Sequence, residues 1–174
     1  MRMYVITDYQ FDFVEGSLGF EEAKLLDEGI LARGQAVQAE GGVIVETDDT
    51  HDKKYLSTRE GIALPIKHTI FGTPGWEVYG KTGVWLRSFP HIIIMKTTFG
   101  CPPDKMLMLP DGIDEIEFAG VLSNVCVISN VCCFQARYPN AQIIVHRNLV
   151  ASPNKELHEK TLAVLEGLQV KVVD

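Results

Sequence analysis

The chain contains no cluster of Lys and Arg and no uninterrupted apolar stretch long enough to span a bilayer. Its 16 basic residues are outnumbered by 23 acidic ones, for a net charge of −7. A nucleic-acid or anionic-membrane partner would call for a concentrated basic face, so neither is expected. The first residues run straight into a short apolar segment, Met3 to Ile6, and then meet Asp8. A secretory leader needs a longer apolar core and a small-residue cleavage site. The expectation is a soluble, cytoplasmic chain. Cysteine is also scarce, with only Cys101, Cys126, Cys132 and Cys133. Four clustered cysteines make no disulfide framework, and Cys126 with Cys133 is neither a CxxC redox pair nor half of a zinc knuckle. Cys132 and Cys133 read as small buried helix residues. Internal repeats and low-complexity segments are absent.

What is present is an alternation of short apolar runs with helix-period segments. Met3–Thr7, Val43–Thr47, His91–Met95, Ile116–Ala119, Ala141–His146 and Gln169–Val173 are strand-length and β-rich. Residues 9–20 read as a loop. Glu21 to Glu40 carries helical spacing at Ala23, Leu26, Ile30, Leu31 and Val37, and Gly41-Gly42 stops it. Asp104–Leu109 suits a short helix, and Asn124–Arg137 a helix halted at Tyr138-Pro139. Ser152-Pro153 supplies a cap and first turn for a helix reaching about Glu166. Strands that are apolar throughout, alternating with helices, predict an α/β domain with a largely parallel sheet. A length of 174 residues suits one domain over residues 1–174. Asp48 to Arg87 is long and rich in Gly and Pro, as expected of a segment lining a site.

In parallel sheets ligands lie beyond the carboxyl ends of the strands. Asp8, Asp49, Lys96 and Cys126 all fall at such ends. Cys126 follows an apolar strand and opens a helix-like run, a position where the helix N-terminus should lower a thiol's pKa. A Cys, an Asp and a Lys meeting there would form a cysteine-dependent hydrolase site. Asp49-Thr-His51 places a carboxylate and an imidazole on one side of an extended chain, and Glu60 and His68 follow. Two His with one or two carboxylates can bind zinc, iron or manganese, and this donor set does not choose among them. By spacing alone, solvated loop side chains would look the same.

Five segments in order resemble the nicotinamidase branch of the isochorismatase-like cysteine hydrolase family. They are Asp8-Tyr-Gln10-Phe-Asp12-Phe13, Asp49-Thr-His51, His68-Thr-Ile-Phe-Gly72-Thr73-Pro-Gly75, Lys96-Thr-Thr-Phe99 and Gly120-Val-Leu-Ser123-Asn124-Val-Cys126-Val127. The resemblance implies a three-layer α/β/α fold around a six-stranded, mainly parallel sheet. It implies hydrolysis of nicotinamide to nicotinate and ammonia through a thioester on Cys126, with Asp8 and Lys96 as its catalytic partners. Another small amide or carbamoyl compound is the alternative substrate.

The same resemblance implies a divalent metal, zinc first and iron or manganese otherwise, held by Asp49, His51 and His68. Glu60 matches the extra ligand of one subgroup. Backbone N–H groups of Leu122 and Cys126 would receive the oxyanion, after a cis peptide at Val121–Leu122. Asp12 would position backbone or metal ligands. Many relatives carry a Trp ahead of the third metal ligand, where this chain has Leu64-Pro65-Ile66-Lys67, and a His or Tyr where it has Val125. Ring packing is therefore expected from Phe13, Leu64 or another side chain, with Val125 a further pocket residue that could retune the site toward another small amide. The family's habit of assembly implies a homo-oligomer.

Overall fold

Six strands form one sheet in a computed structural model that describes residues 1–174. They are β1 (Arg2–Thr7), β2 (Val43–Asp49), β3 (Ile92–Lys96), β4 (Glu115–Val121), β5 (Gln142–Ala151) and β6 (Lys171–Val173). Their order is β3-β2-β1-β4-β5-β6, and every pairing is parallel. The eight helices are α1 (Phe11–Val14), α2 (Glu21–Lys24), α3 (Asp27–Ala39), α4 (Arg59–Ala63), α5 (Gly80–Leu86), α6 (Pro103–Met106), α7 (Ile128–Arg137) and α8 (Lys155–Gly167). None is long and apolar enough to cross a membrane.

The central strands are apolar on both faces because both are covered. On β1, Met3 and Val5 enter one core with Ile116 and Phe118 of β4, beneath Val131 and Phe134 of α7 and Leu162 of α8. Tyr4 and Ile6 enter the opposite core with Ile30 and Val37 of α3 and with Trp85 and Leu86 of α5. The layers are therefore helix, sheet, helix, as the six apolar runs predict.

Several local expectations are corrected. The Glu21–Glu40 segment is two helices parted at Leu25-Leu26, and α3 opens on Asp27. Its carboxylate accepts from the backbone N–H groups of Lys81 (2.8 Å) and Thr82 (3.0 Å) at the start of α5. Residues 9–20 include α1, whose Phe13 and Val14 are buried. The helix expected from Asn124 starts as a π-helical turn, Ser123–Val127, before α7. Helix α8 is capped by Asn154, whose Oδ1 accepts from Leu157 N at 3.0 Å, and not by Ser152-Pro153. Strand β5 continues to Ala151, five residues past its expected end. The Asp48–Arg87 stretch holds α4, α5 and short helical turns at Tyr55–Ser57 and Pro74–Trp76.

One glycine sets the approach of the strands beside Asp8. Gly120 has φ +109°, and a Cβ there would lie 2.0 Å from the Thr7 carbonyl oxygen. Only glycine allows β4 to come so close to the end of β1, one residue before Asp8.

The other face of β4 carries a buried carboxylate, Glu117, which is 1% exposed. It accepts from Arg33 Nε (2.6 Å) and Nη2 (2.5 Å) and from His146 Nε2 (2.6 Å). Burial raises its pKa, but these bonds to His146 and Arg33 win and hold it down at about 2. A carboxylate depressed in this way adds stability above its unfolded value of 4.5, and that stability is lost as pH falls toward 2. Glu117→Gln should therefore cost about 3 kcal/mol at neutral pH and flatten the acid limb of a urea-midpoint-against-pH curve. A variant curve parallel to wild type between those pH values would refute the network's role.

Candidate active site and metal centre

Lys96 ends β3, Asp8 follows β1, and Cys126 lies in the turn after β4, so three strand ends converge. Lys96 Nζ donates to Asp8 Oδ2 at 2.6 Å and to the Thr98 carbonyl at 3.0 Å. Thr47 Oγ1 donates to the other Asp8 oxygen at 2.8 Å. Both side chains of the ion pair are 0% exposed. The Cys126 thiol meets the same Asp8 carboxyl and is itself buried.

The electrostatics correct one expectation. Burial pushes the Cys126 thiol well up, and Asp8 adds to the rise while Lys96 opposes it. The helix-terminus argument fails because Cys126 sits inside the π-helical turn, largely buried and beside a carboxylate. Burial alone would discharge Lys96, but Asp8 and its neighbours hold the ammonium's pKa up. Burial likewise raises Asp8, with Lys96 pulling it down.

The turn between β4 and α7 is braced from several sides. The Val121–Leu122 peptide is cis, as expected. The Leu122 carbonyl accepts from Val125 N and Val127 N, both at 3.1 Å, whereas the Leu122 N–H has no partner within the chain. Ser123, fully buried, shares a hydrogen bond of 3.0 Å with His158 Nδ1 of α8.

Asp49, His51, Glu60 and His68 form one cluster whose ligand atoms all lie within 4.8 Å of one another. Asp49 Oδ2 is 3.0 Å from His51 Nε2 and 3.4 Å from His68 Nε2, and Glu60 Oε1 is 3.5 and 3.7 Å from the same two nitrogens. Donors about 2.1 Å from a tetrahedral ion stand about 3.4 Å apart, so the set has the dimensions of a metal cage. The ring nitrogens agree. His68 Nδ1 is 2.8 Å from the Ile66 carbonyl, which can only accept, so Nδ1 carries the proton and Nε2 is free to ligate. His51 Nε2 is buried without an aligned hydrogen bond. The cluster is a metal-binding site.

Residues behind the cage fix its geometry. Gln10, 0% exposed, accepts from Asp49 N (2.9 Å) and donates to Asp49 O (2.9 Å) and Trp76 O (2.8 Å). Thr69 Oγ1 donates to Asp49 Oδ2 at 2.8 Å, and Asp12 accepts from Thr69 N at 2.8 Å. Asp12 therefore orients the ligand shell, the role expected of it. Gly75 lets it do so, because a Cβ there would fall 2.1 Å from Asp12 Oδ2. Tyr55 packs on both imidazoles, with ring centroids 4.4 Å from His51 and 4.8 Å from His68.

The thiol and the metal cluster open on one cavity of about 330 Å³. Phe13, Leu64 and Val125 line it, together with Leu18, Arg59, Ala63, Phe99 and Leu122. Phe13 stands 5.4 Å from the His68 ring. The sequence reading missed Gln10, Tyr55, Arg59 and Phe99 as site residues, although Gln10 and Phe99 lie inside the matched segments. Arg59 had no signal, being one of many charged loop residues.

The sequence model of the isochorismatase domain family matches residues 2–174, and the chain belongs to that family. Among solved structures it is similar to the nicotinamidase PncA from Bacillus subtilis, with 27% identity, TM-score 0.89 and 99% of each chain covered. The pyrazinamidase/nicotinamidase from Streptococcus mutans is 24% identical, with TM-score 0.87 and coverage of 99% of this chain and 100% of that one. The pyrazinamidase of Pyrococcus horikoshii in complex with zinc is 22% identical, with TM-score 0.83 and coverage of 99% and 98%. A search of curated protein sequences finds no match.

The bracing of Asp49 has a measurable consequence. Gln10→Ala should weaken metal binding about 10- to 100-fold in a competition against a chromogenic chelator, with little change in the circular dichroism spectrum. Unchanged affinity would show that Asp49 is held without Gln10.

Proposed function

We propose that the protein hydrolyses nicotinamide to nicotinate and ammonia, with Cys126 as nucleophile, Asp8 as proton carrier and Lys96 as their electrostatic partner. The observation that carries this reading is the single ring-sized cavity onto which both the thiol and the metal cluster open. The likeness to the Bacillus subtilis nicotinamidase, over almost the full length of both chains, supports it.

Asp8 takes the thiol proton as Cys126 Sγ attacks the carboxamide carbon. The N–H groups of Leu122 and Cys126 receive the oxyanion; a donor of this kind is worth about 3 kcal/mol in comparable hydrolases. Asp8 then passes its proton to the departing nitrogen, the C–N bond breaks, and ammonia leaves a thioester. A water molecule gives up a proton to Asp8 and attacks the thioester carbon. The C–S bond breaks, and the proton returns to the Cys126 sulfur. Lys96 keeps Asp8 competent as a base throughout, offsetting the burial that would otherwise keep it protonated. Asp49, His51, Glu60 and His68 would hold the metal, zinc first among candidates, which when bound supplies a Lewis-acid site for the pyridine nitrogen and so orients the carboxamide.

A second reading, hydrolysis of another small amide or carbamoyl compound, is favoured by Arg59. It lines the cavity but makes no ion pair or side-chain hydrogen bond, so it can meet a polar substituent that nicotinamide lacks.

Ammonia release from nicotinamide, pyrazinamide and aliphatic amides, before and after chelation, separates these readings. Nicotinamide should be preferred, chelation should reduce turnover, and Cys126→Ala should lower kcat by about 10⁴-fold or more. Equal rates on acetamide would remove nicotinamide as the substrate. Lys96→Gln removes the cation that lowers Asp8, so Asp8 stays protonated to higher pH. The acid limb of kcat/KM should move upward in pH in this variant, and an unmoved limb would exclude Asp8 as the base.

A further inference from the structure

Helix α8 turns one face to the core, and a histidine opens that face. Thr161, Leu162 and Leu165 are buried, and His158 precedes the first two by three and four residues, on the same side of the helix. The start of the helix fixes its place. The His158 N–H donates to the Asn154 carbonyl at 2.9 Å, and the Asn154 side chain caps α8. The imidazole is mostly buried, yet it does not line the cavity that holds Cys126.

What it meets is the turn between β4 and α7. Ser123, 0% exposed, lies between Leu122 and Cys126, whose N–H groups receive the oxyanion in the proposed hydrolysis. Its hydroxyl has one side-chain partner, His158 Nδ1 at 3.0 Å. A second hydroxyl, Ser129 Oγ, donates to the Val125 carbonyl at 2.6 Å, but it belongs to α7 and moves with the turn. The His158 bond is therefore the side-chain hydrogen bond that ties Ser123–Val127 to another helix. Burial pushes the ring toward its neutral form, against Glu159, and a neutral Nδ1 can either take or give the shared proton. A buried hydroxyl stripped of this partner would have to shift to find another, and the turn's backbone would shift with it.

We propose that His158 is a positioning residue: it anchors Ser123 and so holds the Leu122 and Cys126 N–H groups where an oxyanion forms. The inference rests on the hydrolytic reading of the Asp8, Lys96 and Cys126 site. Oxyanion donors act when they are aimed before the charge develops, so a turn free to drift loses rate more than substrate affinity. His158 touches no reacting atom and works through Ser123.

The test compares His158→Leu, which keeps bulk without a polar atom, with His158→Asn, whose side-chain amide reaches the place of Nδ1. In His158→Leu, kcat on the preferred amide should fall about 10- to 100-fold with KM within about twofold, as a small misplacement costs. His158→Asn should keep most of the rate. Should His158→Leu fail to fold, Ser123→Ala removes the same bond from its other end and should show the same split. Combining His158→Leu with Ser123→Ala should cost no more than either alone, because one bond is lost in all three variants. A parallel readout needs no turnover: the backbone N–H resonances of Leu122 and Cys126 should move in His158→Leu and hold in His158→Asn. A wild-type chain that hydrolyses no amide would sink the hydrolytic reading, and these resonances would still decide whether His158 sets the turn. Unmoved resonances, full kcat in folded His158→Leu, equal losses in the Leu and Asn variants, or additive losses in the double variant would overturn the proposal.

Discussion

Lys96 reaches from the edge strand β3 across β2 to Asp8, and this fully buried ion pair is the constraint around which the site is arranged. Two charges sealed from water add little net stability, because desolvation offsets most of their attraction. Their presence in the interior makes sense as chemistry, not as packing. The parallel sheet supplies the geometry. Since all strands point the same way, their carboxyl ends lie together, and a residue one step beyond each reaches the same spot. Gly120 completes the convergence by letting β4 close on Thr7.

Burial and the Asp8 carboxyl push the Cys126 thiol's pKa up, while Lys96 pulls Asp8 down against its own burial. The metal cluster is arranged differently. Its imidazoles are held with a free ring nitrogen toward the cage, and its carboxylates face them without lysine or arginine partners. A site short of positive charge and rich in donor atoms is completed by a cation. One cavity wall carries the Cys126 thiol and the other the cage.

The two halves are tied through backbone. Gln10, two residues after Asp8, bonds to both the N–H and the carbonyl of Asp49. The β1 end that bears Asp8 therefore also positions a metal ligand. Asp12 repeats the pattern one turn on, through Thr69. A displacement of this short segment would disturb both halves together.

Much of this was legible in the residues themselves. Apolar runs such as Met3–Ile6 are two-sided strands because nothing charged in them needs water, and that pattern specifies a covered parallel sheet. The order of Asp8, Asp49-Thr-His51, His68, Lys96 and Cys126 carried the family resemblance and the site's membership. What the sequence could not reveal depended on partners distant along the chain. Asp27 opens α3 with its carboxylate bonded to the start of α5, and helical periodicity is blind to a residue more than fifty positions away. The direction of the thiol's pKa shift escapes local pattern for the same reason. A position at a strand-to-helix turn suggests an activated sulfur, but its environment is made by Asp8, Lys96 and the exclusion of water. Local pattern determined the strands, their faces and the order of the residues that meet at their carboxyl ends. Only the tertiary structure decided the direction in which their proton affinities move and the Gln10 and Asp12 bracing, because each arises from desolvation and contacts between segments far apart in sequence.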